Sequence, residues 1–253
     1  MLNNLPPSFV KWGNGNKVLI FLHYFGGDAG CWQWVASMLS PTFTCIAFNL
    51  PGCGGALPLK VLTVENYAAF IQAQIDGMGI DQYSVIGHSM GGKIAMQIAV
   101  NDISNKVKQL LLIAPSPPDT ENIRPADKRK LIQVPDAALA MATIKKLAKI
   151  SLSEQQLDIA VLAQINTTKA VREWWVNKGS QHPVLNVLAG ITCPVIVMAS
   201  ENDPVIAFAT IKNEVLPYLQ NAHLKTIKNV GHLYPMEAPA WIADIIKATF
   251  NKA

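Results

Sequence analysis

Four cysteines in 253 residues, none in a C-x-x-C pair, are too few and too scattered for a disulfide framework or a zinc site. Cys31, Cys45, Cys53 and Cys193 read as buried free thiols of a reducing compartment. The five histidines show no ligand spacing, so neither a metal nor another cofactor is expected. Charge is also sparse. Only 15% of residues are charged against 50% hydrophobic, which excludes global disorder and provides for a sizeable core. The net charge of +4 (21 − 17) is spread along the chain. Its one tight cluster, Asp127-Lys128-Arg129-Lys130, reads as a solvated helix face, so no nucleic-acid partner is expected. Long apolar runs are missing too. The longest, 184–200, is broken by Gly190 and Pro194 and carries Asn186, so no membrane span and no membrane partner are expected. The N-terminal MLNNLPPSFV lacks the basic flank and apolar core of a signal peptide. A cytoplasmic chain is the expectation, without internal repeats or low-complexity tracts and with an oligomeric state that the sequence leaves open.

Short runs rich in branched residues lie at 17–22, 44–48, 83–86, 109–114 and 194–198, with a more polar one at 223–227. Runs apolar at every position imply strands covered on both faces, as in a parallel sheet. Helical periodicity fills 32–39, 64–77, 93–100, 208–219 and 239–250, the last opening on Pro239. This alternation predicts an α/β chain with a doubly wound, mostly parallel sheet. Residues 9–18, centred on Gly13-Asn14-Gly15-Asn16, read as a hairpin that gives the sheet an antiparallel edge. Residues 117–182 break the alternation, with helices at 137–150, 154–166 and 169–176 and a capping box at Ser153 and Gln156. The expected organisation is a core of 1–116 and 183–253 with a helical cap inserted at 117–182.

The stretch SVIGHSMGGKIAM, 84–96, has two parses. Gly87 to Lys93 is G-x-x-x-x-G-K, most of a phosphate-binding loop. That loop needs Ser or Thr next, to hold magnesium, and the position is Ile94. No acid ends the strand running into Pro115. Lys93 then reads as a solvent-facing helix residue. Gly87-His88-Ser89-Met90-Gly91 is also G-x-S-x-G, the turn that raises a nucleophilic serine between strand and helix. Serine needs a base, and the base needs a carboxylate to orient it. In this topology both follow at the ends of later strands, in the order Ser, acid, His. Asp203, in Glu201-Asn202-Asp203-Pro204, and His232, in Gly231-His232, satisfy that order. Asp203 before Pro204 also suits a helix N-cap, Glu201 is the reserve acid, and His223 opens a strand instead of ending one. The oxyanion needs two backbone N–H groups, one from Met90 and one from the loop His23-Tyr24-Phe25-Gly26-Gly27.

With Asn49-Leu50-Pro51-Gly52-Cys53-Gly54 added, these motifs resemble the α/β-hydrolase superfamily, its esterase-like branch with a helical cap, over nearly the whole chain. The resemblance implies a carboxylesterase-like enzyme acting on a small-molecule ester or thioester of small or medium acyl size, through an acyl-serine. In it Ser89 attacks, His232 moves the proton, Asp203 fixes the imidazole, and Phe25 and Met90 hold the oxyanion. Relatives on the same fold cleave carbon–carbon bonds, act as perhydrolases or haloperoxidases, oxygenate without a cofactor, or serve as slow-turnover ligand receptors, and the resemblance leaves these open. Two positions depart from the pattern. Tyr24 stands where a glycine is usual, which makes it a candidate pocket residue, and Asn49 replaces an Asp in what reads as a structural role. Of Trp174 and Trp175, one is expected to line the pocket.

Overall fold

The computed structural model describes residues 8–250. The expectation of no signal peptide falls largely on residues 1–7 and so lies outside the described residues.

Seven strands form one sheet: β1 (Phe9–Trp12), β2 (Lys17–Leu22), β3 (Phe43–Phe48), β4 (Tyr83–His88), β5 (Val107–Ile113), β6 (Val195–Ser200) and β7 (Ala222–Ile227). Their order is β1-β3-β2-β4-β5-β6-β7. All neighbouring pairs are parallel except β1 with β3. The inner strands are buried over nearly their whole length because helices cover both faces. Leu19, Ile20, Phe21, Val85, Ile86, Leu110 and Leu111 are wholly excluded from solvent. Each such side chain contributes about 1.5–3 kcal/mol relative to leaving it exposed.

Helices α1 (Gln33–Leu39), α2 (Val64–Gly77) and α3 (Met90–Val100) alternate with the first strands. Between β5 and β6, where the sequence showed no strand, run α4 (Pro125–Ile132), α5 (Ala137–Leu147), α6 (Glu154–Ile165) and α7 (Lys169–Asn177). Ser153 and Gln156 form the expected capping box on α6. The basic cluster lies on α4, a helix with no buried residue. After β6 come α8 (Phe208–Thr210), α9 (Tyr234–Glu237) and α10 (Pro239–Phe250).

Two readings of local pattern need correction. The segment 9–18 is not a hairpin: β1 pairs with β3, from Phe9 opposite Phe48 to Trp12 opposite Cys45, so the edge is antiparallel through a different partner. The turn after β1 crosses the start of β3 and leaves room for it beside β2. A Cβ on Gly13 would stand 2.2 Å from Phe43 O, and Gly13 has φ +71°. Thr44 Oγ1 donates to Gly15 O at 2.6 Å. The expected single helix over 208–219 is also interrupted, α8 passing into a π-turn at Ile211–Val215 and a 3-10 turn at Leu216–Tyr218. Pro217 has no N–H to continue the helical ladder.

Candidate active site

Ser89 occupies the turn between β4 and α3 with φ 54° and ψ −116°. A left-handed serine costs about 1–3 kcal/mol and persists only where its surroundings impose it. Here they do. A Cβ on Gly87 would lie 2.4 Å from Gly91 O, and one on Gly91 would lie 2.5 Å from Leu22 O. Strand, turn and β2 therefore pass each other at glycine distance. The Ser89 N–H donates to Ile113 O at 3.0 Å, and the Ser89 carbonyl accepts from Ser116 N at 3.1 Å, which ties the turn to the end of β5.

The parallel order β4-β5-β6-β7 brings the C-terminal ends of these strands together. The loop after β6 carries Asp203, whose Oδ1 accepts the N–H groups of Val205 (2.8 Å) and Ile206 (3.1 Å). Its local N-cap-like bonding and its approach to histidine thus coexist. The loop after β7 carries His232, whose Nδ1 lies 2.8 Å from Asp203 Oδ2 and 3.1 Å from Oδ1. With Nδ1–H donating to the carboxylate, Nε2 is left as the ring's base. Ser200 staples the two loops, its hydroxyl donating to Val230 O at 2.6 Å and its N–H to Tyr234 Oη at 2.7 Å. Ser89, Asp203 and His232 are 6%, 8% and 3% exposed, so the three sit almost wholly beneath the surface. The reserve acid Glu201 is exposed and pairs with Lys228 at 3.5 Å. His182 pairs with Glu65 at 2.7 Å. His223 lines a groove of about 520 Å³ with Gln109, Ile196 and Trp241, at the opposite, N-terminal ends of the strands.

Burial disfavours a charged His232, but the Asp203 charge and hydrogen bond, followed by Glu121 and Glu237, outweigh it and leave the imidazole above 6.5. His88, with its ring centroid 4.9 Å away, is pushed well below 6.5 by burial and by His232 itself, so it stays neutral.

In the loop after β2, His23 is satisfied at both nitrogens. Its Nδ1 meets Tyr24 O at 2.8 Å, and Leu50 N donates to Nε2 at 3.1 Å. Burial lowers its pKa to about 4, so it is a neutral brace for the loop. Gly27 N closes a turn onto Tyr24 O at 2.9 Å, with Phe25 inside it. Met90, opening α3, has an N–H without an intrahelical acceptor. Tyr24 is 2% exposed, its ring 5.2 Å from His88 and 6.4 Å from His232, and it packs with Ala140, Ile144 and Leu233. Trp175 stacks on Phe25 at 6.5 Å, whereas Trp174 stacks on Tyr67 at 4.9 Å. Of the two tryptophans, Trp175 is the one beside the loop after β2. Asn49 Oδ1 accepts from Ala29 N at 2.9 Å.

Lys93 requires a correction. It is not solvent-facing but wholly buried, and its Nζ donates to Asp119 O (2.7 Å), Ser180 O (2.9 Å) and His182 O (3.1 Å). It joins α3 to both ends of the helical segment. Burial pushes its pKa down to about 8 against the pull of Glu121 and Asp119, and the three carbonyls also favour the charged form.

Glu237 went unnoticed in the sequence. Its Oε2 accepts from Lys149 N (2.7 Å), Ile150 N (2.9 Å) and Gly231 N (2.9 Å), and its Oε1 from Leu233 N (2.9 Å). His232 N donates to Leu147 O at 2.8 Å. The residue bearing the imidazole is thus held on both sides by one carboxylate and tied to 147–150. No local pattern announces a carboxylate whose partners come from two separate loops. Among the described residues, no group of three or more His, Cys, Asp or Glu is placed to hold a metal, and no helix is long and apolar enough to cross a membrane.

A strained serine after the central strand, with an aspartate–histidine pair on the loops after β6 and β7, is the arrangement of the alpha/beta hydrolase family. The chain belongs to that family, whose model matches residues 19–245. It is 25% identical over 243 residues to 2-succinyl-6-hydroxy-2,4-cyclohexadiene-1-carboxylate synthase of Salmonella arizonae, covering 91% of this chain and 92% of that protein. Over 108 residues it is 36% identical to the dihydrolipoyllysine-residue acetyltransferase component of the acetoin cleaving system of Cupriavidus necator. That match spans 42% of this chain and only 29% of the relative. The fold is similar to an esterase from Exiguobacterium antarcticum, with TM-score 0.85 at 14% identity, covering 97% of this chain and 95% of that one.

Proposed function

We propose that this chain is a serine hydrolase that cleaves a small or medium ester or thioester through an acyl-serine intermediate. The observation that carries the reading is the His232–Asp203 pair, 2.8 Å apart and buried, on the loops after β6 and β7, at the same end of the parallel strands as the strained Ser89 after β4. Membership of the hydrolase family supports the reaction class.

In this mechanism Ser89 Oγ attacks the carbonyl carbon while His232 Nε2 takes the hydroxyl proton. Asp203 stays ionised and holds the imidazole through Nδ1, so the imidazolium forms beside a fixed negative charge. The N–H groups of Phe25 and Met90 receive the oxyanion, each donor worth roughly 10²–10³ in rate. Collapse expels the alcohol or thiol, which leaves with the proton from His232. A water, deprotonated by the same nitrogen, then releases the acid and restores Ser89. Residues 117–182 act as a cap over this centre, with Tyr24 and Trp175 on the pocket wall. The partner is a small molecule, and no step requires a metal or cofactor.

Intact mass after treatment with a fluorophosphonate tests the nucleophile. One adduct is expected on the wild type and none on Ser89→Ala. A folded wild type that takes no adduct overturns the reading.

The acid limb of activity follows from His232. The base must be neutral, and its pKa is raised, so kcat/KM is expected to fall with decreasing pH through a midpoint above 6.5. Below that midpoint it drops about tenfold per pH unit. A profile flat down to pH 5 would contradict His232 as the base.

A further inference from the structure

Two side chains of α7 reach the loop after β2. Trp175 stacks on Phe25 with ring centroids 6.5 Å apart and planes 27° from parallel. The Arg172 guanidinium carbon lies 5.5 Å from the centre of the same Phe25 ring, within cation–π range. A third side chain, Gln164 at the end of α6, packs on the next residue of the loop. A Cβ on Gly26 would stand 2.4 Å from the Gln164 amide, and Gly26 has φ +81°. The helix that carries Arg172 is itself anchored to the core. Thr168 N donates to Gly52 O at 2.8 Å, and Val171 leaves no room for a Cβ on Gly52.

Arg172 is 2% exposed, and among the described residues it forms no ion pair. Its Nε donates to Thr167 O at 3.3 Å and one terminal nitrogen to Leu131 O at 3.2 Å. The other terminal nitrogen donates to the Gln164 carbonyl and, at 3.0 Å, to Gln164 Oε1. Burial pulls its pKa down to about 10, so the guanidinium is still charged at neutral pH. A buried charge held only by carbonyl oxygens is costly, and an apolar side chain would fill the same space more cheaply. What the guanidinium adds is a plane locked by four hydrogen bonds. One of those bonds fixes the Gln164 amide, so the cation against Phe25 and the amide against Gly26 form a single unit.

The Phe25 N–H donates to no acceptor among the described residues. Its direction is set by the turn that Gly27 N closes on Tyr24 O, and by whatever holds that turn still. Displacing a catalytic group by about 1 Å can cost roughly 10²-fold in rate. Resting on the serine-hydrolase reading, we propose that Arg172 is a positioning residue which, together with Gln164, holds the Phe25 N–H on the oxyanion.

The test separates transition-state from ground-state binding. Butylboronic acid adds to Ser89 Oγ as a tetrahedral anion with an oxygen at the oxyanion position, whereas N-phenylbutanamide mimics the bound ester phenyl butanoate. In Arg172→Met, kcat/KM for phenyl butanoate is expected to fall about ten- to hundredfold per active site and the boronate Ki to rise by a similar factor. The amide Ki should stay within about threefold of wild type. Arg172→Lys, a cation without the plane, is expected to lie between the two. Phe25→Leu keeps the N–H but loses the ring, and its loss should be less than additive with that of Arg172→Met. Active sites are counted by the end point of fluorophosphonate labelling. Folded wild type without label refutes the hydrolase reading. With wild type labelled, unchanged kcat/KM and boronate Ki in Arg172→Met overturn the positioning role alone, as does a rise of both Ki values together, which would make Arg172 part of the pocket. Should Arg172→Met fail to fold, Arg172→Lys and Phe25→Leu carry the same comparison.

Discussion

An Asp203→Asn variant is expected to fold as the wild type does and to turn over an activated ester about 10⁴-fold more slowly. Two backbone donors, Val205 N and Ile206 N, already occupy Oδ1. An asparagine at this position keeps its carbonyl oxygen on those donors and so turns its amide towards His232 Nδ1. The imidazole must then accept at Nδ1 and carry its proton on Nε2, where it cannot take one from Ser89. The charge that favours the imidazolium is lost as well. A 10⁴-fold loss corresponds to about 5.4 kcal/mol of transition-state stabilisation. The melting temperature should move little, since the local turn survives. Steady-state kinetics and thermal unfolding on the same preparation check both halves. A variant within tenfold of wild type would show that Asp203 is not the orienting acid, and the exposed Glu201, engaged with Lys228, would be the next residue to examine.

Much that depended on short stretches of chain was readable in advance, though the interruption within 208–219 was not. The helices at Val64–Gly77 and Pro239–Phe250 have the expected bounds, because Thr63 caps one and Pro239 opens the other. Ser153 and Gln156 likewise announce their helix. The loop positions of Asp203 and His232 followed from a rule of topology: each comes just after a run that reads as a strand, and in a parallel sheet such ends gather on one edge. The partner of β1 was not readable, since residues 9–12 pair with 45–48 across an intervening strand, and local pattern cannot choose between two neighbouring apolar runs. Lys93 was misread for the same reason. A lysine on a helix is ordinarily solvated, and its three carbonyls lie 26 to 89 residues away. Tyr24 was noticed because it replaces a small residue, but its packing on His88 and under α5 needed the fold. Glu237 carried no signal at all, because a buried carboxylate is defined by its donors and these come from elsewhere.

Glu237→Gln is expected to destabilise the fold by about 2–4 kcal/mol and to move the acid limb of kcat/KM to lower pH. The carboxylate receives four backbone N–H groups, three at Oε2 and one at Oε1, which only the ionised form can accept at both oxygens. A glutamine must set its amide against at least one of these donors, losing that bond and opposing N–H to N–H. Hydrogen bonds to a charged group contribute about 1.5–3 kcal/mol each, and a buried donor left unsatisfied costs about 1–3 kcal/mol. For a chain of this size the loss corresponds to a fall of roughly 4–16 °C in melting temperature. Stability alone would not distinguish a brace for the catalytic loop from a brace elsewhere, and the pH profile does. The Glu237 charge is one of those that hold the His232 pKa up, so its removal lets that pKa fall, and the neutral base persists to lower pH. The gain at low pH is set against a lower kcat, since Gly231 and Leu233, on either side of His232, each lose or weaken an anchor. Profiles measured well below the variant's melting temperature separate the effects. An acid limb that stays in place while the melting temperature falls would make Glu237 a support for the fold alone, without a part in setting the base.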